Sequence, residues 1–83
     1  MMKFYWMIEL VAALPSLPQI ETTYYAGYYD WVNRQEAQTT DYRAAPVWLR
    51  KEDAEIVCGS LLGTLSCMWV VREHGFIFED RDQ

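Results

Sequence analysis

With one histidine and two cysteines, this 83-residue chain has little from which to build a metal centre. A tetrahedral zinc site draws four ligands from closely spaced Cys and His, and Cys58, Cys67 and His74 offer neither the number nor a C-x-x-C spacing. The shortage extends to catalysis. Ser16, Ser60 and Ser66 fall in a proline loop, a helix end and a strand, so no spacing brings a nucleophile, a base and an orienting group together around His74. The carboxylates Glu52, Asp53 and Glu55 are explained by a helix start, where the dipole favours negative charge, before acid-base chemistry is invoked. Glycine is sparse too: Gly59 and Gly63 lie within and after a helical stretch rather than ahead of one, which excludes a phosphate-cradling loop. On these grounds no catalytic residue, metal or cofactor is assigned, and an enzyme is not expected.

Positive charge is also short. Seven Lys and Arg stand against 12 Asp and Glu, giving a net charge of -5, and the basic residues are scattered, so direct binding to nucleic-acid phosphates is not expected. Acids gather at Glu52, Asp53, Glu55 and at Glu79, Asp80, Asp82. A solvated helix face and a solubilising tail account for both, although an acidic surface can also imitate nucleic acid. No apolar run reaches the roughly 18 residues a membrane helix needs. The opening MMKFYWMIELVAAL mimics a signal peptide, but Glu9 interrupts it and its aromatics suit a strand, so no membrane partner and a cytoplasmic location are expected. Two buried thiols in a reducing compartment are expected at Cys58 and Cys67 ahead of a disulfide.

What the chain does have is one well-marked helix, within Pro46 to Gly63. Ala54, Val57, Cys58, Leu61 and Leu62 recur at helical spacing and form one apolar stripe. Glu52, Asp53 and Glu55 suit its first turns, and Gly63 suits its stop. Arg50 stands where a small capping residue is expected, and Gly59 weakens the interior, so the helix depends on packing.

Around it the alternation of side chains predicts strands. Lys3 to Val11 places Phe4, Trp6, Ile8 and Leu10 on one face and Tyr5, Met7, Glu9 and Val11 on the other, both apolar enough for an inner strand. Leu14 to Pro18 is a loop. Thr22 to Val32 reads as a hairpin turning at Ala26-Gly27, with Tyr24, Tyr29 and Trp31 on one face and Tyr25, Tyr28 and Asp30 on the other. Residues 33–45 read as a long connection, Val47 to Leu49 as a short edge strand, and Thr64 to Arg72 as the last strand, followed by a turn at Glu73-His74-Gly75. Residues 79–83 should fray. The prediction is a single α+β domain over 1–83: an antiparallel or mixed sheet of about four strands, in β-β-β-α-β order, with one helix on one face.

One helix covers one face. The opposite face is predicted to carry Tyr5, Met7, Tyr25, Tyr28 and Met68, with Asp30 among its charged rim. These six are the candidate partner-binding residues, because tyrosine and methionine inside a charged rim have interface composition. Coverage by the 33–45 connection and by Phe76 and Phe78, or an inverted strand register, accounts equally well for that face.

The combination of YWMIEL, YYAGYYDW, KEDAE and REHGF resembles a loose class of small proteins of tailed bacteriophages and prophages. That resemblance implies a setting, the cytoplasm of a bacterial host, and carries no functional residues with it. Together with the aromatic face it leads to the expectation of a small phage or mobile-element protein that binds and inhibits a host protein, as an anti-CRISPR does. The alternatives are a module that binds a nucleotide or other small ligand on aromatic side chains, and a self-associating structural component such as a homodimer.

Overall fold

The computed structural model describes residues 2–12, 22–63 and 67–77. Its elements are β1 (Met2–Ala12), β2 (Thr23–Asp30), β3 (Gln35–Thr39), a single 3-10 turn (Tyr42–Ala44), α1 (Lys51–Gly59) and β4 (Cys67–Ile77). The four strands form one sheet in the order β3-β2-β1-β4, antiparallel throughout, and α1 lies between β3 and β4 in the chain and packs against β1 and β4. This is the α+β architecture that the alternation and the helix predict.

β1 is an inner strand, and its unbroken pairing with β4 runs from Met2 opposite Ile77 to Ala12 opposite Cys67. Cross-strand partners share a face. Phe4, Trp6, Ile8 and Leu10 therefore lie with Glu73, Val71 and Trp69 on the helix side, and Tyr5, Met7, Glu9 and Val11 lie with His74, Arg72, Val70 and Met68 on the other. The expected turn at Glu73-His74-Gly75 is corrected by this ladder. Gly75 is not a turn residue; it leaves room for Phe4, since a Cβ there would stand 2.9 Å from the Phe4 ring.

The expected hairpin at Ala26-Gly27 is also corrected. β2 passes through these residues without turning, and the register on β3 shifts between Tyr25 and Tyr29, so that Ala26, Gly27 and Tyr28 stand opposite Ala37 alone. Gly27 takes φ +100° in this bulge and lies against Pro46. The chain turns at 31–34 instead, and part of the predicted connection is the strand β3. The pairing also corrects the expected faces: Tyr24, opposite Glu9, faces away from the helix, and Tyr25, opposite Gln38, faces toward it. Beside the diverging β2, Trp48 fills the gap along β1, exchanging backbone bonds of 2.7 and 2.9 Å with Trp6, in line with the short edge strand expected at Val47 to Leu49.

α1 is shorter than its stripe. It begins after Arg50, whose side chain makes no capping bond, with Glu52 and Asp53 in the first turn. It ends at Gly59, not Gly63: the Ser60 hydroxyl donates to the Val57 carbonyl at 2.7 Å, and Ser60 and Leu61 amides close the last turn. Ala54 is fully buried, Val57 and Cys58 are half-buried, and Leu62 is exposed. No disulfide joins Cys58 and Cys67, and both are half-buried. The predicted loop at 14–18, together with Leu65, Ser66, Phe78 and the tail 79–83, lies outside the described residues.

Candidate protein-binding surface

Nine helical residues span about 13 Å, whereas the 11 residues of β1 and of β4 span about 36 Å. Lys51 at the start of α1 sits 5.6 Å over the Trp6 ring, and Cys58 near its end donates to the Trp69 carbonyl at 3.5 Å, so the helix covers the sheet between Trp6 and Trp69. Beyond Trp6 the same side is open. Met2, Phe4 and Ile77 are each more than half exposed there.

The 31–34 turn lies at this end of the sheet, because β2 runs antiparallel to β1. Trp31 is 81% and Val32 91% exposed, and Tyr28 beside the turn is 61% exposed. The turn is built to hold these side chains out. The Asp30 carboxylate accepts from the Val32 and Asn33 amides at 3.0 and 3.2 Å and from the Asn33 side chain at 2.7 Å, and Arg34 takes the left-handed conformation that closes the turn. The Asn33 side-chain amide, then its backbone N–H, holds the Asp30 carboxyl below the usual carboxylate range. The Trp31 ring meets Tyr29 edge-on at 4.6 Å, and Tyr29, opposite Glu36, belongs to the helix side. An exposed tryptophan on a braced turn, with tyrosine and aliphatic neighbours, is the side-chain chemistry of interface hot spots.

The six predicted partner-binding residues do not form one face. Met7 is fully buried. Tyr5 lies half-buried against Phe76, ring centroids 5.8 Å apart. Tyr25 packs edge-on against Trp69 at 5.7 Å on the helix side, and burial, then the Glu36 carboxylate, pushes its phenol pKa up. Met68 is exposed but stands at the other end of the sheet from the turn. Of the six, only Tyr28 and Asp30 stand beside the 31–34 turn. Trp31 and Val32 were not among the six: the supposed hairpin put Trp31 with Tyr29 under the helix and Val32 on the opposite face with Tyr28, and the signal that points to the turn is Asp30-x-x-Asn33, an acceptor and donor spaced for a turn.

The face opposite the helix is partly covered. The 3-10 turn carries Tyr42 across it, with its ring 5.4 Å from Phe76, which is the alternative in which the 33–45 connection covers this face. A groove of about 410 Å³ remains there, lined by Tyr5, Tyr42, Arg43, Ala45, Val47 and Phe76. Nearer the centre, Glu9 is buried, 5% exposed. Its carboxylate meets the His74 imidazole, and Arg72 stands 3.8 Å from its other oxygen. Tyr24 is close to both groups, and burial, then the Glu9 charge, raises its pKa. Among the described residues no group of three His, Cys, Asp or Glu is placed to hold a metal ion, and no helix is long and apolar enough to cross a membrane. No protein-family model, curated protein or solved structure matches the chain.

Proposed function

We propose that this protein acts by binding another protein through the surface around Trp31, and that it inhibits what it binds. The observation that carries the reading is the braced turn. Three hydrogen bonds to Asp30 and the left-handed backbone of Arg34 hold Trp31 and Val32 in solvent, where each is unfavourable for a lone chain and favourable in an interface. Met2, Phe4 and Ile77 extend the apolar surface along the same end of the sheet. The resemblance to small phage and prophage proteins supports the setting: a phage or mobile-element protein acting on a host protein in the bacterial cytoplasm, in the manner of an anti-defence inhibitor. The test is affinity capture from a bacterial host lysate with the wild-type chain and with Trp31→Ala. A host protein retained by the first and lost by the second, whose activity falls when the chain is added, supports the reading. A capture pattern indifferent to Trp31 contradicts it.

The groove lined by Tyr5, Tyr42 and Phe76 favours a second reading, stacking of a planar small molecule such as a nucleobase, with Arg43 at the rim. Arg43 is already engaged by Asp41 at 3.1 Å, which weakens its claim on a phosphate. A thermal shift against a nucleotide panel separates this reading from the first, since only a ligand of the folded state raises the melt.

A further inference from the structure

β4 is the edge of the sheet, and among the described residues no strand pairs with its outer side. The direction of its backbone groups follows from Trp6 and Trp48. Because Trp6 exchanges both of its bonds with Trp48, the even residues of β1 turn away from β4 and the odd ones bond to it. The odd residues pair with Met68, Val70, Arg72, His74 and Phe76. The N–H and C=O groups of Trp69, Val71 and Glu73 therefore point outward, and of these the Trp69 carbonyl already accepts from Cys58.

The edge at Trp69 and Val71 borders a groove. Lys51, Glu55, Cys58 and Gly59 of α1 face Trp69, Val70 and Val71 across a space of about 550 Å³. Nothing lies within 4 Å of where a Gly59 side chain would start, so the helix wall is open at that point. A further strand pairs about 4.8 Å from such an edge and here would meet α1 with one of its faces, replacing the Cys58 bond at the Trp69 carbonyl. β4 has no proline or bulge to prevent such pairing.

We propose that this groove takes an extended segment of the partner protein, added to β4 as a further strand. The inference deepens the reading above and rests on it. The occupant is apolar at alternate positions, which face α1, and basic at its ends, because the chain as a whole carries -5 while Lys51 and Glu55 balance each other within the groove. A second copy of this chain brings a further -5 to the contact, which the same charge disfavours.

The test uses the full chain and a capped peptide of alternating valine and threonine with a lysine at each end. Binding is expected to slow hydrogen exchange at the Val71 and Trp69 amides. N-methylation of the peptide at alternate residues is expected to weaken binding at least about tenfold in one phase and little in the other, since only one set of its amides faces β4. Val71→Pro removes an outward donor while sparing the ladder to β1, and is expected to cost a similar factor; the N-methylated peptides keep the test sound should that variant unfold. Three results overturn the inference: no binding, binding indifferent to both methylation phases, or a dimer of the chain alone that already protects Val71. Trp31→Ala separates the two proposals. If partner capture depends on Trp31 while the peptide does not bind, the groove inference alone fails; if the peptide binds while capture ignores Trp31, the groove stands and the functional reading fails.

Discussion

His74, the chain's one histidine, meets the carboxylate of Glu9 on the face away from the helix, although the two are not opposite each other in the ladder: Glu9 pairs with Val70, and His74 pairs with Tyr5. Met7 lies between them in register and is fully buried. A carboxylate that is 5% exposed needs such a partner, because an unpaired buried charge is far costlier than an unpaired surface one. His74→Ala is expected to destabilise the fold by about 2 kcal/mol in a urea melt, Arg72 remaining as a weaker partner. Glu9→Gln, which removes the charge and keeps the shape, is expected to cost about 1 kcal/mol. Equal melts for His74→Ala and wild type would show that the contact contributes nothing.

Tyr25 and Tyr28 are three residues apart in sequence and have different surroundings. Tyr25→Ala removes the ring that packs on Trp69 and is expected to lower stability by about 2 kcal/mol. Tyr28→Ala is expected to stay within about 0.5 kcal/mol of wild type, as an exposed position does. Thermal or urea melts of the two single variants check this, and equal, small effects at both would mean that the β2 register is the one read from sequence.

Most of the fold was legible because it rests on patterns that burial enforces. The alternation along β1, the stripe from Ala54 to Cys58 and the apolar run from Cys67 to Val71 each had a face to hide, and each formed the predicted element. β3 was not legible. QEAQT turns only Ala37 to the core, so its strand character comes from pairing with β2 and not from its own pattern. Glycine misled twice for a physical reason. Gly27 and Gly75 were read as turns, yet one serves a bulge and the other a close approach by Phe4, and sequence alone does not separate these uses. The candidate surface was half legible: Tyr28 and Asp30 belong to it, whereas Trp31 was expected beside Tyr29 under the helix and stands beside Tyr29 in solvent, because the helix is too short to reach it.

The bracing of the 31–34 turn depends on an ionised Asp30. Because the fold lowers the Asp30 pKa, the carboxylate adds stability above its ordinary range and loses it as pH falls through the lowered value. The turn is therefore expected to be intact at neutral pH and to loosen only below about pH 4, read as faster exchange or shifted resonances at Val32 and Asn33. Titration of those signals at the ordinary carboxylate value or above would contradict the bracing.

Neither cysteine is in a disulfide, so alkylation in denaturant without reductant is expected to add two labels. In the folded chain burial, and then the Glu55 charge, pushes the Cys58 thiol pKa up, which lowers its thiolate fraction and slows its labelling relative to a small free thiol. Mass spectrometry after timed alkylation reads both numbers. No label in denaturant would mean a bridge, and fast labelling of Cys58 in the folded chain would mean that the thiol is not held under the helix.

The central claim is that Trp31 is there to be bound. Its most direct measurement is the affinity of the captured partner for wild type and for Trp31→Ala by calorimetry, alongside melts of both chains. The side chain is 81% exposed, so the melts are expected to agree within about 0.5 kcal/mol. A hot-spot tryptophan costs about 2 kcal/mol or more on truncation, so affinity is expected to fall at least about thirtyfold. Unchanged affinity with an unchanged melt would contradict the account.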